Sequence, residues 1–234
     1  MSTGAINPNV SNQPSALTRT MFPGDYAAAD EGSYFSNWLG ATASGANAVT
    51  TQALGLANPL VVVHNKNPAG GYNIYMRSIK LRTTTAVTGT TSVYHAGSLN
   101  PNIGTLTATG TVLTGPNNVN SASGNTSLAG VYGGVITATA QASAPGSRIV
   151  HTGPVAGVIP IVLDSWLFAY GEPVNASIAL QEATTTTKII GVSLPPVIIA
   201  PQWFYIFAVW GPSWQAAAAS YTYDVCYIER PSGQ

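Results

Sequence analysis

The run Trp203-Phe204-Tyr205-Ile206-Phe207-Ala208-Val209-Trp210 is apolar at every position and leaves no face for water. A segment of strand length with this character must be covered on both sides, by a second sheet or by another subunit. A helix is disfavoured, because Pro195, Pro196 and Pro201 precede the run and Gly211-Pro212 ends it. Tyr221 to Ile228 follows with aromatic and β-branched residues in near-alternation, the pattern of a second strand. The two are expected to be adjacent central strands joined by the loop Gly211 to Ser220.

Upstream, Leu60 to His64 and Tyr72 to Arg82 read as strands, with a turn over Asn65 to Gly71. Strict alternation along the longer one puts Tyr75, Arg77, Ile79 and Leu81 on one face and Met76, Ser78, Lys80 and Arg82 on the other. Thr-rich pieces at Thr83 to Tyr94, Thr105 to Thr114 and Gly130 to Gln141 add further strands. So do Gly157 to Asp164, Trp166 to Tyr170, Val174 to Leu180 and Thr184 to Val192. About eight to ten short strands, with no long amphipathic helix, predict an all-β sandwich, jelly-roll-like in topology. No fixed-period repeat supports a propeller or solenoid.

The N-terminal part differs. Residues 1–19 are rich in Asn, Ser and Pro and have no apolar core of secretory-leader length. Pro23-Gly24 signals a turn, and Asp25 can cap a short Ala-rich helical turn ended by Gly32. Ser33 either caps a second turn that gathers Tyr34, Phe35 and Trp38 on one side, or the segment is extended and lays these aromatics on a neighbour. The expected organisation is an extended N-terminal arm with short turns over 1–47 and a sandwich domain over 48–234.

Charged residues make up 7% of the chain, with a formal net charge of zero, against about 25% in ordinary soluble domains. Too few charges remain to solvate the surface, so part of it is expected to be covered by copies or partners, whose contacts are charge-depleted at their centres. A packaged nucleic acid is not expected as a partner: Arg19 is the only basic residue before Lys66, and eight Lys and Arg spread over the chain do not make a basic patch. A membrane partner is not expected either. Three prolines interrupt the apolar stretch from Leu194 to Gly211, which also falls short of the roughly 20 residues a span needs.

Motif chemistry is sparse. No C-x-x-C, H-E-x-x-H, G-x-S-x-G or phosphate-loop pattern occurs, so no metal, cofactor or catalytic residue is assigned. His64, His95 and His151 read as structural or surface histidines, and Cys226 as a buried thiol. The aromatics Trp203, Tyr205, Trp210, Trp214, Tyr221, Tyr223 and Tyr227 form either core and subunit interface or a sugar-stacking platform. Trp214 sits beside Ala216 to Ala219 in an apolar loop that is costly to leave in water. Tyr34, Phe35, Trp38, Trp210 and Trp214 are therefore the candidate assembly interface.

Ala29-Asp30-Glu31-Gly32-Ser33-Tyr34-Phe35, with the small-residue stretch to Ala48, is similar to N-terminal segments of phage head-associated proteins. The ending, Pro195-Pro196-Val197-Ile198-Ile199-Ala200-Pro201, an aromatic strand, Trp210-Gly211-Pro212-Ser213 and a last strand closing in Glu229-Arg230, looks like their C-terminal end. With the charge-poor, Ala-, Thr-, Gly- and Asn-rich composition, the chain resembles structural proteins of tailed-bacteriophage virions. The resemblance implies a non-enzymatic head decoration (cement) protein, made in the host cytoplasm and placed on the capsid exterior. It would self-associate, with a trimer favoured, and bind the major capsid protein or another virion protein, its arm reaching an adjacent subunit. The alternative is a carbohydrate-binding sandwich that attaches to host glycans. A glycan-degrading enzyme on the same scaffold is the weakest of the three.

Overall fold

The computed structural model describes residues 24–39, 59–85, 93–101, 111–112, 116–133, 147–155, 165–174, 177–182, 185–211 and 220–231. Among these residues, after one helix, α1 (Gly24–Asp30), every regular element is a strand. These are β1 (Tyr34–Leu39), β2 (Val61–Asn65), β3 (Tyr72–Thr85), β4 (Val93–Pro101), β5 (Thr111–Val112), β6 (Asn117–Asn118) and β7 (Ala129–Gly133). They continue as β8 (Arg148–Val155), β9 (Ser165–Tyr170), β10 (Ser177–Glu182), β11 (Thr185–Leu194), β12 (Ile198–Ile199), β13 (Trp203–Trp210) and β14 (Ser220–Pro231). The chain is an all-β sandwich, as its strand-length apolar runs predict.

One sheet has the order β10-β11-β9-β3-β14-β1-β6, with β12 pairing beside β3; the other is β5-β7-β2-β13-β4-β8. The two four-strand sets central to the sandwich are β9-β3-β14-β1 and β2-β13-β4-β8, the second running to the edge of its sheet at β8. The chain alternates between these sets from β1 through β4, stays in the second for β8, and alternates again through β9, β13 and β14. Neighbours within each central set are antiparallel. The parallel pair β9–β11 lies outside them, where β10 and β11 extend the first sheet.

β13 and β14 are both central, but they do not pair with each other. β13 lies between β2 and β4, and β14 between β3 and β1. Each is the middle of its own sheet, so the expectation of two adjacent strands is corrected to two strands in separate sheets of the sandwich. The demand for cover on both faces is met: Phe204 to Val209 are all buried. From β13, Tyr205, Phe207 and Val209 enter the core between the sheets, where they join Ile79 and Leu81 of β3, Trp166, Phe168 and Tyr170 of β9, and Tyr221, Tyr223, Val225 and Tyr227 of β14. Phe168 meets Phe207 edge-on with centroids 4.7 Å apart, and Tyr170 meets Tyr205 at 5.8 Å. Such contacts add about 0.5–1.5 kcal/mol each beyond the area they bury.

Strict alternation fails on β3. Ser78 pairs with Cys226 while Met76 pairs with Tyr227, so Arg77 is the extra residue of a β-bulge. The bulge switches the phase. Ile74 and Met76 are buried before it, and Ile79, Leu81 and Thr83 after it. Arg77 is thereby freed from the inward face on which simple counting placed it.

Residues 34–39, expected at the end of the arm, form β1 and lie fully within the first sheet. Their extended reading holds over the helical one. Phe35 faces inward and stacks on Tyr227 at 5.9 Å, because alternation directs it and Trp38 to opposite faces.

Removing one ring from the layer between the sheets should be costly. Phe207→Ala is expected to lower unfolding free energy by about 3–5 kcal/mol, whereas Tyr72→Ser, at a half-exposed position, should change it by under about 0.5 kcal/mol. Urea unfolding of both variants checks this, and a Phe207→Ala loss below about 1 kcal/mol contradicts the packing described.

Candidate functional site

The region with most of the features of a contact surface is built from α1, β1, β6 and the loop between β6 and β7. Its fixed point is the end of α1. Gly32 has φ 69°, and its N–H donates to Ala29 O at 2.9 Å. The Ser33 N–H donates to Ala28 O, also at 2.9 Å. This pair of reversed bonds is the Schellman ending that satisfies the last carbonyls of a helix. A side chain at position 32 would also lie 2.1 Å from Ser123 Oγ. Gly32 is needed both for its backbone angle and for the close approach of the loop.

That loop is rich in asparagine for a definable reason. Asn118 Nδ2 donates to Gly32 O at 2.9 Å, Asn120 Nδ2 to Asp30 O at 3.1 Å, and Asn125 Nδ2 to Glu31 O at 3.4 Å. Three side-chain amides thus bind the open carbonyls at the helix exit without using charge. The ion pairs among the described residues involve the same unit. Arg77, turned outward by the bulge, meets Asp25 of α1 at 2.8 Å and also pairs with Glu172 after β9. Arg230 at the end of β14 reaches Glu31 at 3.2 Å.

A buried polar network fastens the other end of the loop. Glu229 is 5% exposed and accepts from Ser127 Oγ, with the N–H groups of Leu128 and Ala129 and the Asn67 side chain also bonded to it. Burial pushes its carboxyl above the usual range, while these donors act in the opposite direction. Ser127 Oγ accepts in turn from Tyr227 Oη at 2.9 Å and from Ala129 N–H at 3.0 Å, so its hydrogen-bonding capacity is filled. Asn67 Nδ2 donates to Asn65 Oδ1, and Asn65 Nδ2 donates to Tyr72 O and Ile199 O. The loop, β2, β3, β12 and β14 are joined through side chains that hydropathy patterning passes over.

The residues expected at an assembly interface divide. Phe35 belongs to this chain's own core. Tyr34 is half-buried, and burial raises its hydroxyl pKa, with Cys226 nearby. Trp210 is half-buried and stacks on Tyr94 at 5.7 Å. Trp38 is 41% exposed, on the outer face of the first sheet opposite Asp224. Trp214 lies outside the described residues. The structure adds three that sequence reading missed: Tyr26 on α1, and Val119 and Leu128 on the loop, each about half or more exposed. With Trp38 they form four of the seven large apolar side chains exposed among the described residues; Tyr72, Ile149 and Ile198 are the others.

The second-half aromatics proposed as a sugar platform are placed differently. Tyr205, Tyr221, Tyr223 and Tyr227 are buried in the core. Trp203 packs partly buried against it, with the Arg148 guanidinium 5.9 Å over its ring. Cys226 is half-buried on the outer face of the first sheet, not in the core, with Sγ 3.6 Å from Asp224 Oδ1. Burial pushes the thiol up to about 11. Among the described residues no group of three His, Cys, Asp or Glu could hold a metal ion, and no helix is long and apolar enough to cross a membrane. No protein family, curated protein or solved structure matches this chain.

Gly32→Ala is expected to destabilise the fold by about 1–3 kcal/mol, since the added Cβ meets a left-handed backbone and a displaced loop. Thermal unfolding should show the loss, and protease should cut faster within 119–128. A Gly32→Ala variant as stable as the parent would refute the role given to this helix end.

Proposed function

We propose that this chain is a non-enzymatic structural protein of a phage virion, most simply a decoration or cement protein that associates with copies of itself and with the capsid lattice. One observation carries the reading. Tyr26, Trp38, Val119 and Leu128 stand exposed on one unit, α1–β1–β6 and its loop, which ion pairs and asparagine amides hold in a fixed shape. Apolar side chains displayed on a fixed frame favour association, because little side-chain and loop ordering remains to be lost on binding. A 7% charge content supports the same reading, since association centres are depleted in charge.

The strand order also supports it. We read the two central sets, β9-β3-β14-β1 and β2-β13-β4-β8, as a jelly roll, two Greek keys of eight strands closed face to face. Viral capsid and lectin domains both use that architecture, so the order is compatible with the shell and the sugar readings alike. Burial of Tyr205, Tyr221, Tyr223 and Tyr227 removes most of the platform on which the sugar reading rested. The shell reading is therefore preferred. In it the protein works mechanically: charge-poor surface buried across neighbouring subunits resists their separation. A trimer, the major capsid protein as partner and a place on the capsid exterior belong to this proposal.

Light scattering on the full chain tests it. The protein is expected as a discrete oligomer, and Tyr26→Ser with Trp38→Ala should shift the mass toward monomer while the unfolding midpoint stays nearly constant. A parent that is monomeric at high concentration, or an oligomer indifferent to both changes, counts against the assignment. Saturable binding in a glycan screen would move the choice to the lectin reading.

A further inference from the structure

His95 on β4 and His151 on β8 are distant in sequence, yet their rings meet in the space between the sheets, with centroids 5.3 Å apart. His95 is 4% exposed and lies against Phe168 at 5.6 Å and Phe207 at 6.5 Å. His151 is half-buried, and its Nε2 is 2.6 Å from Tyr205 Oη, which is 2.9 Å from Tyr170 Oη. The fit is tight on the β4 side. A Cβ at Gly97 would stand 2.1 Å from His151 Nε2 and 2.2 Å from Tyr205 Oη, so glycine there gives the ring its place. β8 accommodates the ring by a bulge: His151 pairs with Gly97 and Ile149 with Ser98, leaving Val150 as the extra residue.

The groups that face the two imidazoles are Tyr205 and Phe207 from β13, Tyr170 and Phe168 from β9, and each other. None of these can balance a positive charge. The ion pairs among the described residues are made by Arg77 and Arg230 and do not involve either histidine. The one cation of β8, Arg148, lies against the Trp203 ring. Nδ1 of both histidines is buried with no hydrogen-bond partner. A neutral imidazole can leave Nδ1 as an unused acceptor. An imidazolium must carry a proton on Nδ1 with nothing to receive it, and a second imidazolium beside it adds like-charge repulsion.

We propose that His95 and His151 form an acid-released latch that holds β8, the last strand of the second sheet, onto the sandwich. Neutral, the pair packs among the aromatic rings and His151 anchors the Tyr205–Tyr170 chain of hydroxyls. Protonated, it is stable only when water reaches it, and moving β8 off β4 is the shortest way to admit water. Burial lowers both histidines from 6.5 to about 4, so the sign is fixed. The closed form is fully favoured above pH 6.5, and its advantage falls as pH drops from there toward about 4.

Hydrogen exchange read by mass spectrometry on the full chain, at pH 7.5 and pH 4.5 and corrected for the intrinsic rate, tests the latch. Opening at β8 should rise about tenfold or more at the lower pH relative to β14, since each unit of pKa displacement is a factor of ten. The double variant His95→Phe, His151→Gln should lose most of that response. Gln keeps a donor for Tyr205 Oη, the role the Nε2–H tautomer of His151 fills, and Phe suits the surrounding rings. A β8 rise no larger than that of β14, or a double variant with the parent's response, overturns the proposal. Should the double variant fail to fold, the comparison of β8 with β14 in the parent decides alone.

Discussion

The aromatic contact between the sheets, where Phe207 and Tyr205 of β13 meet Phe168 and Tyr170 of β9, is the constraint to which the rest of the structure answers. β13 is apolar on both faces, so it can lie only where both are covered, and it takes the middle of its sheet. β14 presents Tyr221, Tyr223, Val225 and Tyr227 to the same layer, so it takes the middle of the other. The connection between them must then cross from sheet to sheet. Sandwich cores of this kind are set by two inward faces meeting, with polar residues left to the outside.

Within that frame, several of the chain's few charges and of its amides hold α1 and the β6–β7 loop in place. The described ion pairs tie α1, which packs beside β1, to the inner strands of the sheet: Arg77 of β3 to Asp25 and also to Glu172, and Arg230 of β14 to Glu31. Exposed pairs contribute little singly, about 0–1 kcal/mol. The hydrogen bonds from Asn118, Asn120 and Asn125 complete the work by occupying carbonyls that would otherwise need water. A protein that keeps few charges on its surface can still fix the shape of an edge in this way. Fixing it is useful where apolar side chains on that edge are to meet another subunit.

The all-β class was readable from the sequence because strand-length apolar runs, turn residues and the lack of helical periodicity agree. The short Ala-rich helix and its ending at Gly32 were readable too, since a glycine stop is local chemistry, but Asp25, expected to cap the helix, lies inside its first turn and pairs with Arg77. Pairing was not. Nothing in the run Trp203 to Trp210 says that its partners are β2 and β4 and not the next strand in the chain. The bulge at Arg77 was hidden because an arginine among alternating residues looks like part of the alternation. The residues expected at an interface separated for a related reason. Phe35 and Trp38 look equivalent as aromatics, but an odd spacing along one strand sends one inward and the other outward. The His95–His151 contact and the Glu229 network join residues far apart in sequence, which only the folded chain brings together.

Hydroxyl-radical footprinting of the associated protein against the dilute protein probes the edge most directly, because it reports side chain by side chain. Protection confined to Tyr26, Trp38, Val119 and Leu128, with Tyr72, Ile149 and Ile198 still oxidised, is what a contact surface on the α1–β1 unit predicts. Protection centred on Tyr72, Ile149 or Ile198, or no protection anywhere at concentrations where mass increases, would contradict it.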